Sequence, residues 1–245
     1  MASIPDPMFR QTTRDFCVNQ QFRKDYWVKG CRTLTALEQA EALRGQRILL
    51  AQPRADVGLK VTGSLGEATL QEAVYGPILD QLADHKPKTL GQLEQALKAT
   101  PSTQSLSFAQ ILQAAMVLSA TGAVQAVQDD AVVQIAKKRT DRLNVYLMTK
   151  ARSSNELSYL ASPVTGGGVT VPRFQQLFLL AKQQGHKHPQ DWANFVWNIL
   201  ALQNQRLVKD GKTLETVEEN LAELTAQASE FAEKQLPILK ALQIA

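Results

Sequence analysis

Ser107-Phe108-Ala109-Gln110-Ile111-Leu112-Gln113-Ala114-Ala115-Met116-Val117-Leu118-Ser119-Ala120 is the stretch on which the fold turns. Phe108, Ile111, Leu112, Ala115 and Leu118 recur at the spacing of one helical face, and Gly122 stops the run. Upstream, Thr89 is placed as the N-cap of another helix, on which Leu90, Leu93 and Leu97 share a face. Pro87 separates it from a helix carrying Leu70, Val74, Ile78, Leu79 and Leu82, with Gly76-Pro77 set to kink it. Downstream, residues 123–127 and 131–135 read as two short strands joined at Asp129-Asp130.

Three helices followed by a hairpin, within residues 61–135, is the order of a winged helix. That order invites a nucleic-acid reading, and the charges oppose it. From Ala99 to Ala136 there is no Lys or Arg, which covers the expected recognition helix and wing. Phosphate contacts need several cations, and base readout commonly uses Arg or Lys. The unit is expected to be a packing or protein-binding module. The alternative is a winged-helix nucleic-acid binder that uses the basic ends of the chain. Residues 1–60 carry 10 Lys and Arg against 6 acids, residues 61–135 carry 3 against 7, and residues 136–245 carry 14 against 10. Such asymmetry bears on partners and not on fold.

Residues 1–60 read as a lead-in. Two prolines before Met8 mark a loose end, and Met8, Phe9, Phe16 and Val18 suit a helix to about Gln20. Tyr26-Trp27-Val28 has strand-like composition. A short helix is expected over 35–44, ended by Gly45, then strands at 47–51 and 59–62. Residues 136–245 read as a helical domain. Lys137-Lys138-Arg139 opens a helix reaching about Ser153, and 157–171 is expected to be extended or loop, its Gly166-Gly167-Gly168 a flexible turn. Pro172 and Pro189 begin two helices, and Gly185 ends the first. Thr216 with Glu219 forms a capping box for a last helix that Pro237 is expected to stop. The fold class expected is therefore mainly α (α+β).

The composition is globular, at 44% hydrophobic and 20% charged, and no run of eighteen apolar residues or secretory signal occurs. Two cysteines, Cys17 and Cys31, cannot make a secreted disulfide framework, so a reduced, cytoplasmic location without membrane contact is expected. Catalytic signatures are missing: there is no nucleophile elbow, phosphate-binding loop or HExxH. His186 and His188 lack nearby further ligands, and Glu218-Glu219 sits where a helix N-terminus favours acids. No catalytic, cofactor-binding or metal-binding residue is assigned. A self-contained enzyme on a helical site remains a third alternative.

Aromatic and basic residues interleave near the N-terminus, in Arg14-Asp15-Phe16, Asn19, Gln21-Phe22-Arg23-Lys24 and Tyr26-Trp27. Arg14-Asp15-Phe16, Asn19 and Gln21-Phe22-Arg23 resemble the tail of the methyltransferase regulatory domain, whose run in bacteria has the form Asp-Phe-Leu, Asn-Arg, Phe-Arg, then Gln-Thr-Leu-Leu. This chain departs after Phe22-Arg23. Leu160-Ala161-Ser162-Pro163-Val164 with the triple glycine, Gln205-Arg206-Leu207, Asp210-Gly211 and Glu219-Asn220-Leu221 are similar to the C-terminal region of the same family. The resemblance implies the C-terminal part of a class I, S-adenosylmethionine-dependent methyltransferase of the protein-lysine-methyltransferase kind. In that family the regulatory and C-terminal parts sit against a catalytic domain that precedes them. It implies no cofactor in this chain, S-adenosylmethionine on the associated domain, a catalytic domain as partner in cis or trans, and a protein as substrate. The interface expected is Arg14, Asp15, Asn19, Phe22, Arg23, Tyr26 and Trp27, since aromatics and Arg favour interface centres.

Overall fold

A computed structural model describes residues 3–23, 25, 28–63 and 66–245. Tyr26 and Trp27, and with them most of the expected first strand, lie outside the described residues. Helix α1 (Pro7–Cys17) starts at Asp6, whose carboxylate accepts the Phe9 N–H at 2.6 Å, with Pro7 in the first turn. Helix α2 (Ala36–Arg44) is closed at its start by a Thr35–Glu38 capping box.

Strand β1 (Arg47–Leu50) follows and is buried along most of its length. A 3-10 turn at Arg54–Asp56 leads to an exposed hairpin of β2 (Lys60–Gly63) and β3 (Gly66–Thr69). Helix α3 (Glu72–Leu82) runs through Pro77 and is followed by β4 (Lys88–Thr89), α4 (Leu90–Lys98) and α5 (Phe108–Ala120). Thr89 and Ser107 cap α4 and α5 through capping boxes with Gln92 and Gln110. Strand β5 (Val124–Ala126) completes a sheet of order β4-β1-β5, antiparallel throughout, with Ile48 opposite Lys88 and Ala126 and Leu50 opposite Val124.

The expected hairpin after the third helix does not form. Residues 131–135 are instead the first turns of α6 (Asp130–Lys150). Asp129-Asp130 acts as a helix start and not as a turn: Asp129 is extended and Asp130 lies in the first turn, where the macrodipole favours an acid. The β-branched Val132, Val133 and Ile135 gave the strand signal, yet only Val133 of the three is buried. The strand beside β5 is β1, brought from before the three helices.

After α6, β6 (Tyr159–Ser162) and β7 (Gly167–Thr170) form a hairpin. Of the triple glycine only Gly166 keeps the expected turn. Gly166 takes the left-handed turn position, at φ +70°, while Gly167 and Gly168 lie in β7. Helices α7 (Arg173–Gln183) and α8 (Pro189–Leu202) lead to a short hairpin of β8 (Val208–Lys209) and β9 (Lys212–Thr213), and then to α9 (Val217–Glu230). Asp210 (φ +49°) and Gly211 (φ +76°) turn that hairpin with both central residues left-handed, which suits the twist of paired strands. Pro237 does not stop the last run. A π-helical turn at Phe231–Gln235 carries the backbone into α10 (Leu236–Ala241), placing Pro237 in a first turn, where no N–H is needed.

Among the described residues the buried hydrophobic side chains form two clusters. One gathers Ile48, Leu50 and Val57 with the inner faces of α3, α4 and α5. The other gathers Val133, Met148 and the inner faces of α7, α8, α9 and α10, with Phe178, Trp192 and Phe231 at its centre. Phe178 lies 5.6 Å and Trp192 6.2 Å from Phe231, centroid to centroid. Leu49 belongs to the second cluster although its neighbours on β1 belong to the first. Successive side chains of a strand point to opposite faces, so β1 is shared. The architecture is mainly α with small sheets.

Leu49 and Leu50 are both 0% exposed. Truncation of either to Ala is expected to cost about 3 kcal/mol, measured by denaturant unfolding. A loss under about 1 kcal/mol at both positions would contradict the shared-strand packing.

An ion pair ties α2 to this frame. The Arg44 guanidinium donates to Glu94 of α4 at 2.8 Å and lies 4.4 Å over the Phe108 ring, and Lys98 reaches the other Glu94 oxygen at 2.7 Å. Arg44, then Lys98, holds the Glu94 carboxyl below its usual range. Its folded pKa lies under the unfolded value, so the stabilisation is complete above the ordinary glutamate pKa and is lost as pH falls through the depressed one. Glu94→Gln should cost about 1.5 kcal/mol at neutral pH. The gap to the parent protein should close as pH drops below about 4. A gap unchanged between neutral pH and pH 3 would show that the charge is not responsible.

Candidate functional site

The N-terminal interface residues are organised by a helix end. At the close of α1, Asn19 adopts φ +51°, its N–H donates to the Phe16 carbonyl at 3.3 Å, and the Gln20 N–H donates to the Asp15 carbonyl at 2.9 Å. This is a Schellman cap, and Asn tolerates its left-handed position better than most residues. The chain then turns back. Arg23 bridges two carboxylates, Asp15 at 2.8 Å and Asp25 at 2.9 Å. The hydrogen bond to Asp25 leads in raising the Arg23 pKa, with Asp15 adding to it, so the guanidinium charge is fixed.

Asp15, Asn19 and Arg23 thus close a loop on the end of α1. What the loop presents is apolar. Phe16 is 87% and Phe22 85% exposed, and Phe9, one heptad before Phe16 on the same helical face, is 62% exposed. No residue of α1 is buried. A shallow cleft of about 220 Å³ between Thr12, Asp15, Phe16, Asn19 and Gln21 runs beside these rings. Arg14 sits in the last turn of α1, where a cation complements the helix dipole. Of the interface expected from sequence, Arg14, Asp15, Asn19, Phe22 and Arg23 come together here, while Tyr26 and Trp27 lie outside the described residues. Sequence reasoning left Phe9 out of that set; its spacing from Phe16 was the available signal.

The other stretches singled out from sequence hold hairpins. The Asn144 amide pairs with both backbone groups of Ala161, at 2.8 and 2.7 Å. The Ser162 hydroxyl donates to the Leu242 carbonyl at 2.8 Å and accepts the N–H of Val164 and Thr165. Asn220 accepts the Leu207 N–H and donates to the carbonyls of Leu214 and Thr216, all within 2.9 Å. Glu219 caps α9, as its spacing from Thr216 predicts. His186 packs against Phe195 and its carbonyl accepts the Trp192 indole N–H, while His188 begins α8. Among the described residues, no three His, Cys, Asp or Glu side chains converge as a metal site would require.

Residues 1–29 match a family described as a predicted methyltransferase regulatory domain. The N-terminal segment is thus similar to that family. The chain is also 38% identical over 244 residues to the uncharacterized protein sll1526 of Synechocystis sp.. That match takes in 100% of this chain and 46% of the relative, so the chain spans about half the relative's length. No solved structure matches the chain. The family match therefore falls on α1, its cap and the Asp15–Arg23–Asp25 bridge. Among the described residues, no helix is long and apolar enough to cross a membrane.

Because Phe16 and Phe22 touch little of the chain itself, replacing either by Ser should change its unfolding free energy by less than about 0.5 kcal/mol. A loss of 2 kcal/mol or more, on the order of a buried aromatic, would mean that these rings pack on the chain's own core.

Proposed function

We propose that this chain is the accessory, regulatory portion of an S-adenosylmethionine-dependent methyltransferase and packs on a catalytic domain supplied in cis or in trans. The observation that carries the reading is the bare apolar face of Phe9, Phe16 and Phe22 within the segment that matches the regulatory-domain family. Exposed rings beside a fixed arginine make an interface centre in search of its other half. The relative of matching sequence is more than twice as long as the match, which leaves room for such a domain. On this reading S-adenosylmethionine is held by the catalytic domain, and a protein is the methyl acceptor. The exposed free cysteines Cys17 and Cys31 suit a reducing, cytoplasmic setting in a bacterium.

The nucleic-acid alternative gains no support from the middle unit. Helix α5 has no Lys or Arg, and no hairpin of residues 123–135 stands beside it.

The test is association with a class I methyltransferase domain of this family, measured by calorimetry, alongside thermal shift with S-adenosylmethionine. Expected are a complex that Phe16→Ser and Phe22→Ser each weaken about tenfold or more, and no shift of the chain alone with the cofactor. A clear cofactor-induced shift of the chain alone, or binding indifferent to both substitutions, would overturn the proposal.

A further inference from the structure

Helix α6 has a second face that none of the described residues covers. Its inner side buries Val133, Asn144 and Met148. On the opposite side Ile135, Arg139, Arg142 and Tyr146 follow at three- and four-residue steps, which sets them in one row. Ile135 is 75% and Tyr146 57% exposed, and Val132 and Leu143 flank the row half-exposed. The helix has two carboxylates and both are taken: Asp130 by Arg47 at 2.8 Å, and Asp141 by Lys137. Among the described residues this leaves Lys138, Arg139, Arg142 and Lys150 without a carboxylate partner on α6, and Lys150 lies 5.4 Å over the Tyr146 ring. Around the helix from the row, past Val132 and Leu143, is an apolar slot of about 180 Å³ between Ala136 and Thr140 of α6 and Ala161, Pro163 and Gly167 of the β6–β7 hairpin. Every side chain there is small, so the slot has room for one inserted aliphatic group.

From this we propose that the outer face of α6 docks an acidic amphipathic helix of a protein partner. One aliphatic side chain enters the slot, others pack on Ile135, Leu143 and Tyr146, and carboxylates meet Arg139 and Arg142. The charges choose this occupant. A second copy laid face to face would set Arg139 and Arg142 against their own kind. A phosphate backbone would meet Ile135, Leu143 and Tyr146, and a bilayer would have to accept two arginines inside the apolar row. The surface is separate from the N-terminal face and stands or falls without the methyltransferase reading.

The probe is a synthetic peptide of the same 21-residue length as α6, with leucines at heptad spacing flanked by glutamates, and a matched peptide with lysines in place of the glutamates. Binding to the full chain is followed by fluorescence anisotropy and by methyl NMR. The acidic peptide should bind and shift the methyl signals of Ile135 and Leu143, while the basic one should not. Filling the slot with Ala136→Leu should weaken binding about tenfold, and Arg139→Glu with Arg142→Glu should reverse the preference to the basic peptide. Unchanged thermal unfolding of these variants confirms that the fold is intact. Equal binding of both peptides, shifts confined to other residues, or stronger binding of duplex DNA or anionic vesicles at these same residues would each overturn the proposal.

Discussion

Leu49 and Leu50 are neighbours on one strand and members of different cores. The alternation of a β-strand makes this unavoidable: whatever face Leu50 fills, Leu49 fills the other. Four residues thereby hold the three-helix unit and the C-terminal helices to a common element. The strand reaches its place from outside both, with β4 on one edge and β5 on the other. A four-residue strand flanked by shorter ones has little hydrogen bonding of its own to offer. Its position is secured by complete burial of the two leucines.

The polar residues outside the sheet follow one pattern. Asn144, Ser162, Gln176 and Asn220 are buried, and each satisfies backbone groups at a hairpin or a helix junction. Gln176 donates to the carbonyls of Leu157 and Val171 on either side of the β6–β7 hairpin. Arg173 serves the same end, donating to the carbonyls of Ala151 and Arg152 at the end of α6. Buried amides and hydroxyls used this way are engaged in architecture, although the Gln176 Oε1 has no partner among the described residues. The motifs near Ser162, Asp210 and Asn220 are hairpin anchors by their contacts. The surfaces left open are of a different kind, apolar with arginine, and that is the composition of recognition.

Much of this was legible in the sequence. The Thr89 N-cap, the Thr216–Glu219 capping box and the glycine stops after α5 and α7 are local chemistry, and they placed those helix ends within a few residues. Two readings failed for tertiary reasons. Residues 131–135 have strand propensity, but the sheet position beside β5 was already filled by β1, and a helix start was available at Asp129-Asp130. Pro237 breaks a regular α-helix, but a π-helical turn before it gives the proline a first-turn position. The turn expected of the triple glycine was right for Gly166, while Gly167 and Gly168 found partners in β6. The interface residues were legible as a composition of aromatics and arginine; the Schellman cap at Asn19 that gathers them depends on backbone geometry that composition does not encode.

Residues 7–23 form a folded-back but uncovered face, while the described residues from 47 onward carry the packed structure. Amide hydrogen exchange of the isolated chain tests this most directly. The account predicts rapid exchange along α1 and its cap, and slow exchange through β1, α5, α7 and α9. Protection of α1 equal to that of β1 would contradict it, because the N-terminal rings would then have a core of their own to rest on.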